Sequence, residues 1–148
     1  MRVRNAMLKL LVDTNVILDV VLKRGQLGID AARLLSAVQS GQAHGFVAAH
    51  AVTTVYCIIA KETDDATARL SVVYLLQLLS VIPLAGSDFQ AAVALAMPDF
   101  EDSVQVAAAL AVQADYIVTA NKKDFRRSPV PSRSAAEILP LVLSIQPS

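Results

Sequence analysis

The chain has 148 residues, with 13 Lys and Arg against 13 Asp and Glu, so its formal net charge is zero. With 55% hydrophobic and 18% charged residues it is too apolar for a disordered chain, and its one cysteine, Cys57, excludes an internal disulfide or a cysteine-cluster metal site. The balanced charge excludes a global attraction to nucleic acid, so such a partner needs a local basic patch.

Met1-Arg2-Val3-Arg4 opens like a secretory leader, but Lys9 and Asp13 break the apolar run and no small-residue cleavage site follows. No apolar run reaches the roughly 18 residues of a membrane helix. A single cytoplasmic domain over residues 1–148 is therefore expected, with no membrane contact. Residues 9–12 read as the first strand, a continuous apolar run that stops at Asp13, and a helix follows from Thr14 to Leu22. Arg24-Gly25-Gln26-Leu27-Gly28 reads as a loop. Ala31, Leu34, Leu35 and Val38 then form a helical stripe over residues 29–40, stopped by Gly41. A second strand at residues 45–49 leads into an apolar helix over residues 52–60.

Asp64 opens the next helix, which carries Ala68, Val72, Leu75, Leu76 and Leu79. Residues 80–84 form a third strand, placed at a sheet edge because Pro83 has no N–H to give a ladder. Ser87-Asp88 caps a short helix ending near Ala96, and Pro98-Asp99 separates it from an alanine-rich helix over residues 101–113. Tyr116-Ile117-Val118-Thr119 is the fourth strand. Pro129 and Pro131 bracket a short fifth one, and Ser134 begins the last helix. Strands alternating with helices imply an α/β fold, a three-layer α/β/α sandwich around a parallel sheet of four or five strands.

In such a sheet ligands bind beyond the carboxyl ends of the strands. Asp13 follows strand one, Asp99, Glu101 and Asp102 cluster where the alanine-rich helix begins, and Asp124 lies past strand four beside Thr119 and Asn121. Carboxylates converging on one edge repel one another unless a cation sits among them, and Mg²⁺ or Mn²⁺ suits such oxygen donors. A plainer reading stands beside each residue. Asp13 and Asp99 are also good helix N-caps, Glu101 and Asp102 favour a first helical turn, and Asp124 could cap a one-turn segment. Asp19 reads as solvated or locally paired, and His44 and His50 as structural. The cluster Lys122, Lys123, Arg126, Arg127 and Arg133 is the one local basic patch. Two other carboxylate chemistries fail. A haloacid-dehalogenase-like phosphatase needs a second Asp where Asn15 stands, and a receiver-type phosphoacceptor needs an acidic pair before strand one.

Leu11-Val12-Asp13-Thr14-Asn15, Asp99-Phe100-Glu101-Asp102-Ser103-Val104-Gln105 and Val118-Thr119-Ala120-Asn121-Lys122-Lys123-Asp124-Phe125, in that order, resemble the motifs of the PIN-domain family. The resemblance spans nearly the whole chain. It implies a Rossmann-like fold and a Mg²⁺- or Mn²⁺-dependent endoribonuclease, cleaving RNA phosphodiesters with water activated by the ion. Small members are often VapC-type toxins, which pair with an antitoxin protein and dimerise, in keeping with the mean hydropathy of +0.51.

By position, the resemblance makes Asp13, Asp102 and Asp124 the catalytic and metal-holding acids, with Thr14, Asn15, Thr119 and Asn121 as supporting residues. Lys122, Lys123 and Arg126 are expected to contact RNA. One position departs. The family usually carries a glutamate early in the helix after strand two, where this chain has Thr54. Glu62 lies roughly 12 Å further along that helix, whereas Glu101 is placed to compensate from the other side. The alternative reading is a PIN-like module that binds RNA or a protein partner without efficient cleavage.

Overall fold

A computed structural model describes residues 7–144, so the leader-like Met1–Arg4 lies outside the described residues. Five strands form one sheet: β1 (Leu8–Val12), β2 (Ala43–Ala48), β3 (Ser80–Ile82), β4 (Tyr116–Val118) and β5 (Ser132–Arg133). Their order across the sheet is β3-β2-β1-β4-β5, and every neighbouring pair is parallel. The helices are α1 (Thr14–Val21), α2 (Gly25–Gln39), α3 (Ala49–Glu62), α4 (Asp65–Leu78), α5 (Gly86–Ala94), α6 (Phe100–Ala111) and α7 (Ala135–Leu143). A 3-10 turn occupies Lys122–Phe125.

Side chains alternate across a strand, so β1 feeds two cores. Leu10 and Val12 join the core built with α1, α2, α3, α4 and α7, while Leu11 packs with Ile117 and α6 on the other face. The fold is thus the expected α/β/α sandwich, with five strands. β1 is central, and the chain builds β2 and β3 on one side of it before crossing to β4 and β5 on the other. Where that order reverses, loops leave the sheet in opposite directions and open a crevice at the strands' carboxyl ends. Asp13 immediately follows β1 there.

Local chemistry starts several helices where the sequence places them. Asp64 accepts a hydrogen bond from the Thr67 N–H, Asp99 from the Asp102 N–H, and Ser134 from the Glu137 N–H. One expectation is corrected: residues 24–28 are not all loop, because α2 already begins at Gly25. Of the two readings of Asp19 the local pairing holds: it is 4% exposed and paired with Arg24 at 3.5 Å.

Candidate active site

Asp13 stands at the N-cap position of α1, yet its side chain makes no capping hydrogen bond. Its carboxylate instead reaches across the sheet edge. Oδ2 accepts from Thr119 Oγ1 at 2.9 Å and Oδ1 from Gln105 Nε2 at 3.1 Å. Gln105 Nε2 is also 3.3 Å from Thr14 Oγ1, and the Asn121 N–H donates to Thr119 Oγ1 at 3.0 Å. Thr14 is buried and Thr119 fully so, which makes this a rigid polar cluster under the crevice.

Asp13, Asp102, Asp124, Asp99 and Glu101 all line one cavity of about 310 Å³, together with Asn15 and Thr54. The crowding shows in their proton affinities. Asp13 is raised to about 6, chiefly by burial, against the lowering effects of Thr119, the Thr14 N–H and Gln105. Asp102 is raised to about 7, by burial first and then by repulsion from Asp99, Asp13, Asp124 and Glu101. Asp99 is committed as the α6 cap, as its alternative reading had it.

Thr54 Oγ1 stands 3.4 Å from Glu101 Oε1 and 3.3 Å from the His50 carbonyl, so α3 meets the α6 carboxylate across the cavity. Both ring nitrogens of His50 are buried and have no partner among the described residues; burial lowers its proton affinity while the nearby Glu101 charge raises it. His44 bonds Ser80 and packs on Phe46, a structural place.

A second cavity, about 350 Å³, shares Asp99, Asp102 and Asp124 with the first and is also lined by Lys123, Arg126 and Arg127. Lys122 points elsewhere, bonded to Glu137 at 2.8 Å, and Arg133 stacks over Tyr116. Arg127 thus lines this cavity and Lys122 does not. Gln105 is a further residue of the first cavity, and its signal in the sequence is an amide between Val104 and Val106, three positions after Asp102 and hence on its helix face.

Among the described residues, no three His, Cys, Asp or Glu side chains are already gathered closely enough to hold an ion. The donor chemistry nevertheless fits a hard divalent cation, because five carboxylates line the cavity and repel one another. Mg²⁺ in particular keeps several waters and needs only one or two direct carboxylates.

The PIN domain pattern matches residues 9–123 of this chain. No curated protein matches its sequence. Among solved structures, the chain is similar to VapBC2 from Rickettsia felis, bound there to a DNA fragment from its promoter. The TM-score is 0.68 at 15% identity, covering 86% of this chain and 98% of the other. It is similar as well to VapC20 of Mycobacterium tuberculosis, a sarcin-ricin-loop-cleaving toxin, with a TM-score of 0.61 at 11% identity over 73% of this chain and 86% of the other. At these identities the likeness is one of fold.

Proposed function

This chain belongs to the PIN-domain family, and from that premise we propose that it is a Mg²⁺- or Mn²⁺-dependent endoribonuclease of the toxin kind. PIN domains are typically metal-dependent nucleases and usually use Mg²⁺. The observation that carries the reading is Asp13: a buried carboxylate that makes no side-chain cap, enters no ion pair among the described residues, and faces Asp102 and Asp124 across one cavity.

Asp13, Asp102 and Asp124 would hold the ion, with Glu101 adding a carboxylate beside Thr54. When bound there, a divalent cation lowers the pKa of water and offsets charge building on a phosphodiester. Asp13 or Asp124 would take the proton that attacking water gives up. Lys123, Arg126 and Arg127 would draw an RNA backbone into the adjoining cavity and so bring a phosphate to the acids. Lys122 contributes charge at the margin, with its ammonium already engaged by Glu137.

A protein partner of the antitoxin kind and a homodimer belong to the same reading. Support comes from the VapBC2 complex as a structural neighbour, and from Leu70, Val73 and Leu76, which leave much of their surface exposed on α4. A second reading, an RNA- or protein-binding module without efficient cleavage, is favoured by Thr54, which offers a hydroxyl where the resemblance expects a carboxylate. One experiment separates them. Wild type should cleave single-stranded RNA in Mn²⁺, and Asp13→Asn should abolish that cleavage. Equal rates in the two proteins sink the nuclease reading, and an inert wild type that still binds RNA leaves the binding module.

A further inference from the structure

We propose that Gln105 is the positioning residue of this site, the side chain that sets where the Asp13 carboxylate points and how far it stands from Asp102. The proposal rests on the metal-nuclease reading of the acid cluster and adds to it a residue from outside that cluster.

Gln105 is 1% exposed, in the middle of a stretch from Ser103 to Ala109 that is buried throughout. Stability alone calls for an aliphatic side chain at such a place. The amide that occupies it is only half used: Nε2 donates to Asp13 Oδ1, while Oε1 is buried with no partner among the described residues. An unpaired buried acceptor is unfavourable in the fold, so packing does not explain the residue.

Geometry does. A carboxylate has about four lone-pair sites, two on each oxygen. Gln105 occupies one on Oδ1 and Thr119 one on Oδ2, which fixes the plane of the group, and with the Thr14 N–H as a third donor one site is left free. Asp102 and Gln105 are three residues apart on α6, hence on one helix face. The same helix turn that presents Asp102 to the cavity therefore grips Asp13 at the tip of β1, 92 residues away in sequence. Partners of this kind behind a ligand orient it, and losing them typically weakens metal affinity 10- to 100-fold.

The test uses Mn²⁺ alone, with no RNA, and reads the melting temperature of the full chain across a Mn²⁺ titration. Gln105→Met keeps length and burial but removes the amide. It should melt close to wild type in EDTA, because it loses an unpaired carbonyl together with a hydrogen bond, and should need at least tenfold more Mn²⁺ for half of the stabilising shift. Gln105→Ala, a good helix former in an alanine-rich helix, should show the same Mn²⁺ requirement even if it melts lower throughout. A variant with lower melting temperature but unchanged Mn²⁺ dependence, alongside an Asp13→Asn that no longer responds, makes Gln105 a packing residue and overturns the proposal alone. A wild type that does not respond to Mn²⁺ overturns the proposal and the metal reading together.

Discussion

At the scale of single residues, a carboxylate 4% exposed to solvent must either stay protonated or be held by donors. Asp13 does some of each: the Thr119 hydroxyl, the Thr14 N–H and the Gln105 amide favour its charged form, and burial outweighs them, leaving it at about 6. The linkage follows. A carboxyl group raised above its value of 3.8 in an unfolded chain binds more protons folded than unfolded, so the metal-free protein loses stability as pH rises from about 4 through the folded value. For Asp13 the loss is about 3 kcal/mol once the group is fully ionised. Asp102, raised to about 7, acts in the same sense, while the half-buried His50, lowered by burial, acts against it. Glu137, held at about 2 by Lys122 and the Ser134 N–H, changes stability only at more acid pH. In EDTA, therefore, Asp13→Asn should unfold at higher denaturant than wild type at pH 8, with about half of that advantage gone at pH 5. Denaturation midpoints at the two pH values check this, and an advantage that grew toward pH 5 would contradict the sign.

Among the elements, the α1–α2 hairpin shows how a backbone contact can override local preference. Gly25 and Gly28 so close together read as loop, because glycine in a helix is less favourable than alanine by about 0.5–1 kcal/mol. Yet α2 starts at Gly25, and Gly28 is buried within it, because a Cβ there would lie 2.5 Å from the Asp19 carbonyl oxygen. The missing side chain is what lets α2 close on the end of α1. Gly28→Ala should thus destabilise the fold by on the order of 1–3 kcal/mol despite alanine's better helix propensity, measured by equilibrium denaturation with little change in slope. A stabilised variant would show that the hairpin can open without loss. The cap at Asp99 belongs to this scale too: it sets where α6 begins, and hence which of its residues, Asp102 and Gln105 among them, face the crevice.

Across the whole molecule, a net charge of zero coexists with a local concentration of both signs at the crevice, where Asp99, Asp102 and Asp124 line one cavity with Lys123, Arg126 and Arg127. Association with RNA should therefore depend on these local cations and be screened by salt. Replacing Lys123, Arg126 and Arg127 together with Ala should lower RNA binding at 50 mM salt and flatten its salt dependence by up to about three phosphate contacts in slope. Binding measured against salt concentration reads both, and an unchanged slope would move the RNA path elsewhere. The sequence by itself determined the α/β class, most strands and helix caps, and the motifs that mark the family, because apolar period, capping chemistry and short motifs act over a few residues. It also put Asp13, Asp102 and Asp124 on one sheet edge, since strand alternation dictates where carboxyl ends lie. What it left open for Asp13, cap or crevice residue, was decided by Thr119 and Gln105, which are 106 and 92 residues away. The grip of Gln105 likewise depends on a contact between distant segments, and the early start of α2, the burial of Asp19 and the diversion of Lys122 to Glu137 depend on how neighbouring elements pack. Only the tertiary structure brings those groups within hydrogen-bonding distance, and no local pattern encodes that distance.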